Sequence, residues 1–283
     1  MPAAATGAAF VAAALLHGWG WLRLRAVLPG AASPRQPAAF SAGLLVLWVA
    51  VASPLAHLDH ALLTAHMVQH LLIMTVAAPL LLSGAPLLVA AGGLLPTPLV
   101  ARARALVRSG PARAAAHLVT HPVVCWLAGT GVVLAWHVPR VFALAARAPD
   151  WHALQHATFL AAGLLFWWPV LLPWPGAARW PVGAMPLYLF LATLPCDALS
   201  AFLAFSGRVV YPQYLAAHPP VGLTPLADQE CAGALMWLWV TVAYLVPAVV
   251  LTLRLLSPAP PRASLDRRAE EVNNIPAGGG FTP

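Results

Sequence analysis

Apolar and polar positions alternate along this chain on a scale far longer than one turn of helix. Apolar runs of about 20 residues, the length a helix needs to cross a ~30 Å hydrocarbon layer, recur roughly at 4–22, 40–56, 66–90, 119–138, 152–172, 184–206 and 230–255. The pattern predicts an all-α, polytopic integral membrane protein whose seven transmembrane helices form a bundle over 1–256. A tail over 257–283, rich in Pro, Gly and charge, is expected to be disordered. The second run is short. The third contains Pro79 and Pro86 and should kink or break there. The first has its Arg residues behind it rather than ahead of it, unlike a cleavable signal peptide, and reads as a retained span.

Composition narrows the function. Of 283 residues, 61% are hydrophobic and 8% charged, against about 25% charged in a soluble domain, so a water-exposed surface cannot be built. All basic residues are Arg. Without Lys there is no Schiff base, which excludes retinal pigments and pyridoxal enzymes. The net charge of +7 comes from Arg scattered between apolar runs, not from a basic patch with interleaved aromatics, so nucleic acid is no expected partner. Cys125, Cys196 and Cys231 form no CxxC pair and suggest neither a disulfide framework nor a structural zinc site.

The Arg residues set an expected orientation. Arg23, Arg25 and Arg35 follow the first run, Arg102, Arg104, Arg108 and Arg113 the third, Arg179 the fifth, and Arg254, Arg262, Arg267 and Arg268 the seventh. The alternate connections hold only Arg140, Arg147 and Arg208. Cytoplasmic connections carry the basic excess, which places the N-terminus outside and the C-terminus in the cytoplasm. Leu99, Ala103, Leu106 and Val107 recur at helical spacing beside Arg residues, as in a helix lying on the cytoplasmic leaflet; a solvated basic loop is the other reading. Trp19, Trp21, Trp136, Trp151, Trp174 and Trp180 fall near span ends, where aromatic belts form.

Histidine runs the other way. His17, His117 and His121 fall on the cytoplasmic side, while His57, His60, His66, His70, His137, His152, His156 and His218 lie at or beyond the outer face. His66 and His70 open the third run, and His152 and His156 open the fifth. Residues four apart share a helix face, with Cβ atoms about 5–6 Å apart. Both runs go inward from the outer side, so the two pairs should meet at one depth and offer four imidazoles, with His137 nearby. Met74 extends the first stripe by another turn. Imidazole with thioether leans toward copper. The competing readings are imidazoles hydrogen-bonded at the headgroup level and a Met that only fills the core.

Two acids complete the candidates. Asp197 lies inside the sixth run, where a carboxyl group is a functional candidate by default or a protonated group bonded between helices. Asp228 precedes the seventh run and either fixes an imidazole tautomer or caps that helix. Other membrane chemistries fail on spacing. One helix of a diheme cytochrome b needs a second His about half a membrane further on, and Ser83, Gly84, Pro169 and Val170 occupy those positions. HExxH, GxSxG and P-loop motifs are absent.

Taken together, short blocks resemble a known family, the seven-helix CtaG-type cytochrome c oxidase assembly factors. They begin with His66-Met67-Val68-Gln69-His70, Ala78-Pro79-Leu80-Leu81 and Gly84-Ala85-Pro86. Next come His121-Pro122, Trp136-His137-Val138-Pro139, and His152 to His156 leading into Phe166-Trp167-Trp168-Pro169. Pro186-Leu187-Tyr188-Leu189-Phe190, Tyr211-Pro212-Gln213-Tyr214, and Pro225-Leu226-Ala227-Asp228-Gln229 with Gly233 and Met236-Trp237 complete the series. The resemblance implies a multi-pass protein of the bacterial plasma membrane, not an enzyme, that helps mature a heme–copper oxidase. Copper delivery to an oxidase subunit is the expected route, with His66, His70, Met74, His137, His152 and His156 as metal ligands. A copper or small-solute transporter and a heme-binding membrane protein are the alternatives, and a homo-oligomer is left open.

Overall fold

The computed structural model describes residues 3–171, 181–216 and 222–257. All regular structure among them is helical. Six segments are long and apolar enough to cross a membrane: Ala5–Val27, Arg35–Leu58, Leu63–Leu94, Pro149–Leu171, Met185–Phe205 and Pro225–Leu256. Gly110–Val119 and Pro122–His137, bent by 54° at the break between them, make a seventh when taken as one span. Six of the seven expected spans are thus present as single segments and the fourth only as this bent pair, with two corrections. The second begins earlier than its apolar run, at Arg35, and the fourth is a bent pair. His121 shapes that bend, because its Nδ1 accepts the Val123 amide and caps the helix that Pro122 begins. The tail beyond Ser257, His218, Arg179, Trp174 and Trp180 lie outside the described residues.

In chain order the helices are α1 (Ala3–Val27), α2 (Arg35–Ala52), α3 (Leu55–Leu58), α4 (Leu63–Leu71), α5 (Ala78–Ser83), α6 (Pro86–Val89), α7 (Thr97–Arg108), α8 (Gly110–Val119), α9 (Pro122–His137), α10 (Pro139–Arg147), α11 (Pro149–Leu171), α12 (Met185–Phe205) and α13 (Pro225–Leu256). The segment with the expected amphipathic repeat is therefore a helix, α7. A second amphipathic helix, α10, was not foreseen. It buries Phe142 and Ala145 while Arg140 and Arg147 stay exposed.

Where α4 meets α5 the chain widens into a π-helical segment, Leu72–Ala77. Pro79 has no amide to donate, and the turn before it adjusts: the Ala78 amide reaches back five residues to the Ile73 carbonyl. Met74 O is left without its usual partner. The Trp167 indole of α11 supplies one, at 3.0 Å. The second expected break is at Gly84 and Ala85, where Ala85 takes a left-handed conformation (φ 50°) before Pro86 starts α6. His17 closes that gap by bonding the Gly84 carbonyl at 3.0 Å while stacking on Phe40.

Close approach of α11 to the π-helical segment sets the centre of the bundle. A Cβ at Gly163 would lie 3.0 Å from the Ala78 Cβ and 3.1 Å from Met74 backbone atoms, so any larger residue would have to push the two segments apart by a few tenths of an ångström. On the far side α13 packs along both α12 and α4. The core joins Met67, Leu71 and Ala78 to Phe166, Trp167, Tyr188, Met236 and Tyr244. Indole placement departs in part from a belt. Trp19 and Trp151 are exposed, whereas Trp136 is buried and donates to Thr158 Oγ1, and Trp21 is buried and donates to the Ser33 carbonyl.

A candidate metal centre

At one end of the bundle the two HxxxH faces meet. Along α4 the His66 and His70 rings lie 4.2 Å apart, and along α11 His152 and His156 lie 4.4 Å apart. Across the gap His66 faces His152 at 5.8 Å, and His70 faces His156 at 5.8 Å. His137, the last residue of α9, comes within 6.5 Å of His70. The structure therefore brings all five imidazoles into one continuous cluster. The Gly163 contact holds α11 against the chain just past His70, so the two pairs face each other at one level of the bundle.

These rings are not ordinary buried histidines. His66 and His70 are only 5% exposed, yet His66 Nε2 and both nitrogens of His70 have no hydrogen-bond partner. The same holds for His152 Nε2 and His156 Nε2. Each such buried polar atom costs about 1–3 kcal/mol when left unpaired. Several of them converge on one space.

Asp59, which sequence reasoning passed over, supplies a negative charge. It sits in the short connection between α3 and α4 and is 2% exposed. Its Oδ2 lies 3.3 Å from His152 Nε2 and its Oδ1 3.5 Å from His60 Nε2. Neither oxygen accepts a hydrogen bond, and a buried carboxylate needs a cation or several donors. Asp59, His66 and His152 each offer a ligand atom, all within 4.8 Å of one another. A tetrahedral ion with bonds of about 2.0–2.1 Å spaces its donors about 3.3 Å apart, which the Asp59–His152 pair already matches. The signal was legible in the run His57-Leu58-Asp59-His60, an acid flanked by imidazoles in a connection.

The surroundings hold this arrangement. Tyr214 donates to the Asp59 carbonyl at 2.8 Å, and Tyr211 donates to the His137 carbonyl at 3.0 Å. Burial pushes both phenols well above the usual tyrosine range, for Tyr214 with help from the nearby Asp59 and Asp228 carboxylates, so both remain protonated donors. The loop carrying them is pinned by Gln229, whose Oε1 accepts the Val210 amide and whose Nε2 donates to Leu203 O, Ser206 Oγ and Arg208 O. Phe142 of α10 stacks on Tyr211 and lies 4.8 Å from the His66 ring.

A cleft of about 670 Å³ leads inward past exposed His57 and His60 to His152 and His156, with the exposed Arg147 at its side. It adjoins a pocket of about 140 Å³ formed by Asp59, His60, His66, Phe142, His152 and Tyr214. Met74 lies deeper, lining a small cavity with His70 and His137. The two acids picked from sequence sit apart from the rings. Among the described residues Asp228 bonds no imidazole, and it does not cap its own helix either, a role Thr224 takes. Its carboxylate instead accepts the Leu63 and Thr64 amides at 2.6 and 3.2 Å and the Thr64 hydroxyl at 2.7 Å, capping α4 from across the bundle. Asp197 is half-buried on α12, beside Cys196, and belongs to neither pocket of the cluster.

The model of the protein family described as cytochrome c oxidase caa3 assembly factor (Caa3_CtaG) matches residues 15–257. No curated protein and no solved structure matches the chain significantly.

Proposed function

Because the chain belongs to the family of cytochrome c oxidase caa3 assembly factors, we propose that it serves a heme–copper oxidase by holding copper in the histidine cluster and passing it to an oxidase subunit. One observation carries this reading: buried imidazole nitrogens and a buried carboxylate converge without hydrogen-bond partners where a cleft reaches them. The donor set suits a transition metal, since imidazole favours copper, zinc, iron and nickel. In the orientation expected from the Arg distribution, the cleft opens to the outer face of the bacterial plasma membrane.

Delivery follows from the layout. Asp59 supplies charge that attracts a cation down the cleft, and exposed His57 and His60 meet it first. His66 and His152, on different helices, then close on it. No helix contributes a complete ligand set, so a partner can replace donors one at a time by ligand exchange. Transport would need a polar path past Met74, where the described residues pack Gly163, Phe166 and Trp167 instead.

The test pairs binding with assembly. His66→Ala combined with His152→Ala, in purified protein that keeps its thermal unfolding midpoint, should lose most Cu(II) binding, the oxidation state that nitrogen and oxygen donors favour. Cells that carry only this variant should make oxidase with a subnormal copper content. Full copper loading of the oxidase with the double variant overturns the delivery role, and unchanged Cu(II) binding overturns the site.

A further inference from the structure

Below the imidazoles the donor chemistry changes from nitrogen and oxygen to sulfur. A cavity of about 30 Å³, lined by Met67, Met74, Met236, Cys196, His70 and His137, lies next to the cluster. That is room for about one water-sized particle. All four sulfur-bearing side chains are buried. They come from α4, the π-helical segment, α12 and α13, so no helical repeat puts them together.

The proton inventory of His137 decides what this space is for. Its Nδ1 lies 2.7 Å from the Val133 carbonyl, which can only accept, so Nδ1 carries the proton. In a neutral ring Nε2 then holds a lone pair. That lone pair points at Met67 Sδ, 3.3 Å away, itself a lone-pair donor. Protonating Nε2 would relieve the clash of lone pairs only by burying an imidazolium among apolar side chains. His70 adds two more unpartnered nitrogens on the same cavity wall. Lone pairs that converge with no proton between them fit a bound cation.

We propose that this inner cavity is a second metal site, distinct from the Asp59–His66–His152 pocket, and that it selects a soft monovalent ion, Cu(I), through Met67, His137 and the neighbouring thioethers. Thioether and thiol ligands favour Cu(I) over harder divalent ions. His70 is the shared member, 4.2 Å from His66 and on the inner wall, so an ion can move between pockets without leaving coordination. The inference deepens the copper reading above, but its own test involves no oxidase.

Ag(I), a redox-inert probe of Cu(I) sites, should bind the purified full-length protein in detergent. The volume-conserving pair Met67→Leu and Met236→Leu should weaken Ag(I) binding by about tenfold or more, with Co(II) binding at the outer pocket kept. His66→Ala with His152→Ala should show the reverse. In unmutated protein labelled with selenomethionine, X-ray absorption at the selenium edge should show a metal neighbour once Ag(I) or Cu(I) is added, a readout independent of whether the variants fold. Ag(I) bound without a selenium neighbour, or with equal affinity in the methionine double variant, overturns the inner site. A failure of oxidase copper loading to depend on the outer histidines would count against the delivery role alone.

Discussion

The carboxylate of Asp228, at the start of α13, binds the amides of Leu63 and Thr64 at the start of α4. A residue 165 positions away thereby satisfies the first free donors of the helix that carries His66 and His70. A helix end has four such unmet amides, and in an apolar setting each is expensive. This cap fixes where α4 begins, and so at what depth its imidazoles lie.

Replacing Asp228 by Ala is therefore expected to cost about 2–3 kcal/mol, the sum of a lost cap and newly unpaired buried donors. Thermal unfolding in detergent measures it. Copper affinity should fall with it, because α4 loses its anchor; an unchanged midpoint would mean that the cap carries no weight.

Gly163 makes a second prediction. A methyl group there would press on the Met74 backbone at 3.1 Å, forcing a shift of a few tenths of an ångström, and overpacking of this kind costs about 1–3 kcal/mol. Gly163→Ala should lower the unfolding midpoint, and Gly163→Val should separate α11 from α4 enough to abolish copper binding in a titration.

Trp167→Phe keeps the ring packing but removes the donor to Met74 O, the carbonyl that the π-helical turn leaves unmet. A loss of about 1–3 kcal/mol is expected, seen as a lower midpoint. A variant as stable as the parent would mean that another group satisfies this carbonyl.

The buried phenols give a pH dependence. Tyr211 and Tyr214 ionise above the usual tyrosine range when folded and near pH 10 when unfolded. The unfolded chain thus releases protons first, so stability is full below about pH 10 and declines as pH rises beyond it. An absorbance titration should show phenolate from these residues only as the protein unfolds. Tyr214→Phe should remove part of that dependence and loosen Asp59.

Much of the architecture is legible in one dimension because a bilayer imposes it. Helices that must bury every backbone amide in hydrocarbon need about 20 apolar residues, and that requirement marks the six long spans and the bent pair, while the helical pitch puts each histidine pair on one face. Pro79 and Pro86 announce irregular backbone for the same local reason. Asp59 carries a weaker sequence signal, an acid flanked by His57 and His60, since a carboxylate in a short connection looks solvated until tyrosines and imidazoles cover it.

What the chain order alone determined, then, is how many rods there are and which imidazoles share a face. Folding decided which rods touch: Gly163 against Met74 sets the level of the two pairs, Asp228 starts α4 from a distant helix, and four helical segments pool the sulfur around His137. Spacing along a helix is a local property with a fixed pitch. Contact between helices depends on side-chain volumes from remote parts of the chain, which no periodicity records.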